Sequence, residues 1–150
     1  MLAGLRMILG PKNRIVSVSA QTQQLQNYLP PIDTLDAVTQ TELGATGTIS
    51  LSWGSRFTDS LFEFECEKGT VKIQFDDVMV NDEVHHIEFD GKGVVPEVRE
   101  FAETILRGDP VAKRQSPEEA LADLSLLEQM MRSGEHDGDR MMLHFQVRDS

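Results

Sequence analysis

The feature that most constrains this chain is a change of hydrophobic period partway along it. Between Arg14 and Phe89 apolar and polar residues alternate in short runs separated by turn formers, whereas from Val94 onward apolar residues recur at three- and four-residue spacing. A period of two turns one face of a strand inward, and a period of 3.6 turns one stripe of a helix inward. Many strands followed by two sequence-adjacent helices imply an α+β fold, a mainly antiparallel open sheet of about seven strands with helices packed on one face.

The individual elements follow from the same pattern. Met1 to Leu9 reads as a short helix with Leu2, Leu5 and Leu9 on one side and Gly10-Pro11 as its stop; no Ser, Thr, Asp or Asn caps its start, so the chain looks cut there. In the first strand Val16, Val18 and Ala20 should face inward, and Asp36 to Leu43 and Thr46 to Trp53 should form a hairpin with Ile49, Leu51 and Trp53 on one face. Between them Tyr28-Leu29-Pro30-Pro31-Ile32-Asp33-Thr34 reads as loop, because paired prolines forbid a central strand. A second hairpin alternates Phe62, Phe64 and Cys66, then Val71, Ile73 and Phe75, and shorter strands are expected at Val78 to Val80 and Val84 to Phe89. Val98, Phe101, Ala102, Ile105 and Leu106 should be the buried stripe of one helix. Ser116, Pro117 and Glu119 open the next with a capping box; Ala120, Leu124, Leu127 and Met131 should be its buried stripe and Gly134 its end. Arg140 to Val147 reads as a returning strand.

A length of 150 residues suits one domain. Fourteen basic against twenty-five acidic residues leave a net charge of −11, which repels nucleic-acid phosphates and anionic lipid. No apolar run approaches the ~20 residues of a membrane span. A single cysteine and no signal-peptide pattern suggest a reducing, cytoplasmic setting.

Few residues suggest chemistry by themselves. His85 and His86 are adjacent and would point to opposite sides of a strand, so they cannot share a metal. Glu135-His136-Asp137-Gly138-Asp139 lacks the spaced acidic ligands of a calcium loop and reads as solvated. Cys66 continues an apolar face and reads as core, and Glu97, Glu100 and Glu103 read as a solvated helix face. No metal site is expected.

The run Gly93-Val94-Val95-Pro96-Glu97-Val98-Arg99-Glu100-Phe101, then Gly108-Asp109-Pro110 and Ser116-Pro117-Glu118-Glu119-Ala120-Leu121-Ala122-Asp123-Leu124, resembles the C-terminal helices of the Gfo/Idh/MocA oxidoreductase family. Ala3-Gly4-Leu5-Arg6-Met7-Ile8-Leu9-Gly10, Leu29 to Thr34 and Gly44 to Ser50 look like fungal members of that family. The resemblance covers essentially the whole chain. It implies the substrate-binding and oligomerisation domain of an NAD- or NADP-dependent sugar or dihydrodiol dehydrogenase, without its dinucleotide-binding half. It further implies that the family's Glu-Lys-Pro lysine has no counterpart and that its catalytic histidine falls just before Met1. The eleven glycines include no Gly-x-Gly-x-x-Gly run, so no cofactor is expected to bind this chain alone.

In the family the loop after the first strand and the sheet beneath it approach the nicotinamide. The resemblance therefore points to Tyr28, Asp33, Trp53 and Arg56 as substrate-binding candidates. It also implies a homodimer through the open sheet face, with no nucleic-acid or membrane partner. Two other readings remain: a cofactor-free isomerase, lyase or cyclase of fungal secondary metabolism using the former substrate cavity, or a regulatory module that pairs with a full-length relative. An enclosed apolar pocket holding Tyr28, Asp33 or Arg56 would favour the cofactor-free catalyst.

Overall fold

The structure, a computed structural model, describes residues 1–56, 58–88 and 93–145. In chain order its elements are α1 (Leu2–Leu9), β1 (Ile15–Gln23), β2 (Thr34–Thr41), β3 (Thr46–Ser52), β4 (Leu61–Cys66), β5 (Gly69–Gln74), β6 (Asp77–Val80), β7 (Glu83–His86), α2 (Val94–Arg107), a 3-10 turn at Lys113–Gln115, α3 (Pro117–Glu135) and β8 (Met141–Met142). The fold is α+β with antiparallel pairing throughout, as the periodicity requires. The strands fall into two four-stranded sheets, ordered β3-β2-β1-β8 and β4-β5-β6-β7. They belong to two compact units, one holding α1, β1–β3, α3 and β8, the other β4–β7 and α2.

In the first unit, Ile15, Val18 and Ala20 of β1, Leu35 and Ala37 of β2, and Ile49 and Leu51 of β3 pack against Leu126 and Met130 of α3, with Leu2, Leu5 and Leu9 of α1 closing the edge. The opposite face of the sheet is polar. Gln21, Asp36, Thr48 and Ser50 stand exposed there, with Val38 among them. In β1 the alternation breaks near its start: a register shift between Ile15 and Ser17 turns Ile15 inward in place of Val16. A β-bulge adds one residue to one strand and so reverses the parity of what precedes it.

Helix α3 buries a different stripe from the one expected. Ala122, Leu126, Met130 and Ser133 are wholly buried, while Ala120 and Leu124 are exposed and Leu127 and Met131 half-buried. Both stripes satisfy a 3.6-residue period, and small residues at the contact decide between them. The Ser133 hydroxyl accepts the Ala20 amide at 2.7 Å and donates to the Asp139 carbonyl at 2.6 Å. Gly134 is no terminator, since the helix continues to Glu135. A Cβ there would come within 2.3 Å of Thr22 Oγ1, so the glycine permits close approach of helix to strand. At the other end of α3, Ser116 caps as expected, its Oγ accepting the Glu119 amide. Arg6 of α1 donates to the Glu119 carboxylate at 2.7 Å, to the Glu119 carbonyl at 3.1 Å and to Asp123.

The second unit is a meander whose turns reassign several side chains. Gln74 pairs with Asp77, which makes Phe75 a turn residue at φ 52° rather than a continuation of the Val71 and Ile73 face, and it is exposed. Asn81 takes φ 55° in the next turn, as its type favours, and its side-chain oxygen accepts the Thr70 amide. Cys66 ends β4 at the hairpin tip and is exposed, not core. The α2 stripe of Val98, Phe101, Ala102, Ile105 and Leu106 faces solvent, and the buried residue is Thr104, whose hydroxyl donates to the Glu100 carbonyl. Periodicity shows which residues share a face, not which way that face looks. Phe89 lies outside the described residues, as do Gln146 and Val147; of the last expected strand, Met141 and Met142 pair with Val18 and Ser17.

The burial of α3 yields a direct test. Leu126→Ala should cost about 3 kcal/mol in urea unfolding, as a large-to-small change in a closed core does, whereas Leu124→Ala should cost less than about 1 kcal/mol.

Candidate functional site

β1 ends at Gln23, residues 24–33 form a loop leading into β2, and β3 ends beside that loop at Ser52. Asp33 sits where these segments meet and is 2% exposed. Its amide donates to the Gln23 carbonyl at 3.0 Å, and its carbonyl accepts the Trp53 amide at 2.8 Å. Its carboxylate accepts the amides of Leu25 (2.9 and 3.0 Å) and Gln26 (2.7 Å) and the Thr34 hydroxyl (3.0 Å). Gly54 passes so close that an added Cβ would lie 2.5 Å from the Asp33 carboxylate, and Gln26 Nε2 donates to the Gly54 carbonyl at 2.9 Å. The Leu29 amide donates to the Gln26 carbonyl at 3.0 Å, closing a turn with Asn27 and Tyr28 at its tip, ahead of a cis Pro30-Pro31 bond.

Burial pushes the Asp33 carboxyl up, but the Leu25 and Gln26 amides and the Thr34 hydroxyl outweigh it and hold the group below its ordinary value of 3.8. Asp33 is thus an ionised acceptor turned toward the backbone, suited to fastening two loops together. Tyr28 and Trp53 are 76% and 69% exposed, and Arg56 is exposed as well. Trp53 lies beyond the end of β3 instead of continuing the Ile49 and Leu51 face. The structure links the segments that carry Tyr28, Asp33 and Trp53, with Arg56 three residues further along. Gln26 and Gly54 complete the fastening; the sequence marks neither, since only the fold brings Gly54 beside Asp33.

Elsewhere, His86 Nδ1 lies 2.8 Å from the Asp77 carboxylate, and this hydrogen bond, with the charges of Asp77 and Asp76, raises its pKa above 6.5. His85 Nε2 is 3.5 Å from Glu83, and His136 Nδ1 is 2.8 Å from the Arg132 carbonyl. Among the described residues no group of three or more His, Cys, Asp or Glu could hold a metal ion, and no helix is long and apolar enough to cross a membrane. A shallow groove of about 680 Å³ runs along the outer side of α3, lined by Leu121, Leu124, Leu127, Met131 and Phe145. None of the four candidate residues borders it.

No protein-family model matches the sequence. The chain is similar to Dehydrogenase FPY6 of Fusarium mangiferae, 30% identical over 159 residues, a match spanning 97% of this chain and 44% of that protein. Among solved structures it superposes on the oxidoreductase TM0312 of Thermotoga maritima with TM-score 0.82 and 27% identity, over 95% of this chain and 41% of that one. It superposes on the WlbA dehydrogenase of Bordetella pertussis, determined with NADH and UDP-GlcNAcA, with TM-score 0.70 and 26% identity, over 97% and 43% respectively. In sequence and in fold the chain is similar to part of Gfo/Idh/MocA-type oxidoreductases, in keeping with a C-terminal domain, and it spans less than half the length of these relatives.

Because folding lowers the Asp33 pKa, its contribution to stability is complete above 3.8 and is lost as pH falls through the folded value. Asp33→Asn should lower Tm by about 5 °C at neutral pH and flatten the acid limb of a Tm-against-pH curve. Gly54→Ala should lower Tm further, since the methyl group would displace the Asp33 carboxylate from the amides it accepts.

Proposed function

We propose that this chain is the substrate-binding and subunit-pairing part of an NAD- or NADP-dependent dehydrogenase acting on sugars or dihydrodiols, and that it transfers no hydride by itself. The observation that carries this reading is the match over nearly the whole chain to less than half of a dehydrogenase, at 30% identity, together with superposition on oxidoreductase structures. Against a dinucleotide on this chain alone stand the lack of a Gly-x-Gly-x-x-Gly turn in the sequence and the Ser116 hydroxyl that already meets the Glu119 amide at the start of α3. In this reading the loops fastened by Asp33 present Tyr28, Trp53 and Arg56 to substrate, and the nicotinamide is held by a dinucleotide-binding partner domain. Both units act as one domain, in the cytoplasm, as a homodimer paired through the open sheet face.

The similarity to a dehydrogenase of Fusarium mangiferae supports placing the protein in a fungus. A cofactor-free catalyst would need its reactive groups around an enclosed pocket, and the α3 groove holds none of Tyr28, Asp33 or Arg56. A module regulating a full-length relative would use the same sheet.

Calorimetric titration of the chain with NADH should give no binding, and light scattering at micromolar concentration should give the mass of a dimer. Tight NADH binding would overturn the proposed division of labour, and a monomeric mass would overturn the pairing.

A further inference from the structure

Helix α2 presents an apolar face to water. Of its 14 residues only Thr104 is buried. Val94, Val98, Phe101 and Ile105 recur at four-, three- and four-residue spacing, which lines them along one seam of the helix, and Val95, Ala102 and Leu106 widen the stripe on one side. All seven are exposed, Leu106 at 85%. An apolar stripe of this extent on a surface marks a site of association. A helix as short as α2 is marginal in water by itself, and packing of its amphipathic face supplies most of its stability. Four of the seven residues are β-branched, and Gly93 at the N-cap provides no side-chain acceptor for the first amides, so α2 depends on packing more than most helices do.

We propose that this stripe pairs with the same stripe of a second copy, the two α2 helices running antiparallel about a two-fold axis that passes between Val98 and Phe101. The order of side chains along the seam favours that partner: valines occupy its N-terminal half, phenylalanine and isoleucine its C-terminal half. Reversal sets Val94 of one copy against Ile105 of the other and Val98 against Phe101, so every layer joins a smaller residue to a larger one and the filled volume stays even. A parallel pair would oppose Phe101 to Phe101 and Val94 to Val94, giving one crowded and one underfilled layer. On one flank Val95 falls beside Ala102 of the other copy and extends the apolar contact. Charge points the same way. A chain of net charge −11 repels its own copies, and Glu97, Arg99, Glu100, Glu103 and Arg107 all lie off the seam, so two copies meet here without opposing carboxylates. Four layers from one helix pair bury less than the roughly 1,200 Å² of a stable interface, so association through α2 is weak and concentration-dependent. The contact goes beyond the substrate-side reading and does not rest on it: together with pairing through the sheet it would join dimers into tetramers, and alone it would join monomers into dimers.

Sedimentation equilibrium of the intact chain, with hydrogen exchange at the same concentrations, tests this. The expected result is a doubling of mass between micromolar and near-millimolar concentration, with protection of the α2 amides growing in step. Val98→Glu, which puts a carboxylate into the seam of each copy, should raise the dissociation constant of that step more than tenfold, and Glu103→Gln, on the opposite side of the helix, should leave it unchanged. Mixing Val98→Glu chains with Phe101→Lys chains should restore the step, because antiparallel packing places the two new charges against each other. A doubling that survives Val98→Glu, or no doubling at any concentration, would overturn the proposal, and mixed chains that stay apart would overturn its register. Protection of the α2 amides that is equal at every concentration would show that the chain covers the stripe itself, which also refutes the pairing. Once Val98→Glu abolishes the step, the remaining species tests the sheet contact separately: a dimer if that contact holds, a monomer if it does not.

Discussion

The seat of α3 on β1 is the contact on which the rest of the first unit depends. Ser133 and Gly134 bring the helix backbone close enough for a side-chain oxygen to meet the Ala20 amide at 2.7 Å, inside a core where an unmet amide would be costly. β8 pairs with β1 at Ser17 and Val18, the Leu143 amide donates to the Val16 carbonyl, and on the other side, toward Ala20, the end of α3 takes over. With α3 fixed there, Ala122, Leu126 and Met130 fall over the sheet, and Glu119 and Asp123 are placed to hold Arg6 and with it α1. Leu121, Leu124 and Met131 are turned outward by the same choice and line the α3 groove.

A second constraint, local to the loop between β1 and β2, is the Asp33 carboxylate. Its three donors are two backbone amides and a hydroxyl. That arrangement stabilises the charged form against burial and leaves the group committed to structure. Tyr28 and Trp53, on the loops it fastens, stand exposed.

Much of this was legible in the sequence because periodicity reports on faces. The α+β class, the hairpins, the capped start of α3 and the packing of Leu2, Leu5 and Leu9 follow from spacing alone. What spacing could not supply was direction and parity. α3 carries two stripes of correct period, and the deciding contact, Ser133 with Ala20, spans 113 residues. One bulge exchanged Ile15 for Val16, and one positive φ took Phe75 out of its strand. At the site, the loop and its acidic residue could be singled out, but that Asp33 faces backbone amides while Trp53 faces solvent depends on Gly54 lying beside a carboxylate 21 positions earlier. A likeness to known dehydrogenases reached further than any of these arguments, since it draws on the whole chain at once.

The central claim is that this chain works as the substrate-side part of a larger catalytic unit. Mass spectrometry of the native protein from its source, under denaturing and then native conditions, tests it most directly. The account predicts either a polypeptide well above 16.8 kDa that includes a dinucleotide-binding domain, or a 16.8 kDa chain in stable complex with one. A 16.8 kDa chain associated with nothing that binds NAD or NADP would contradict it.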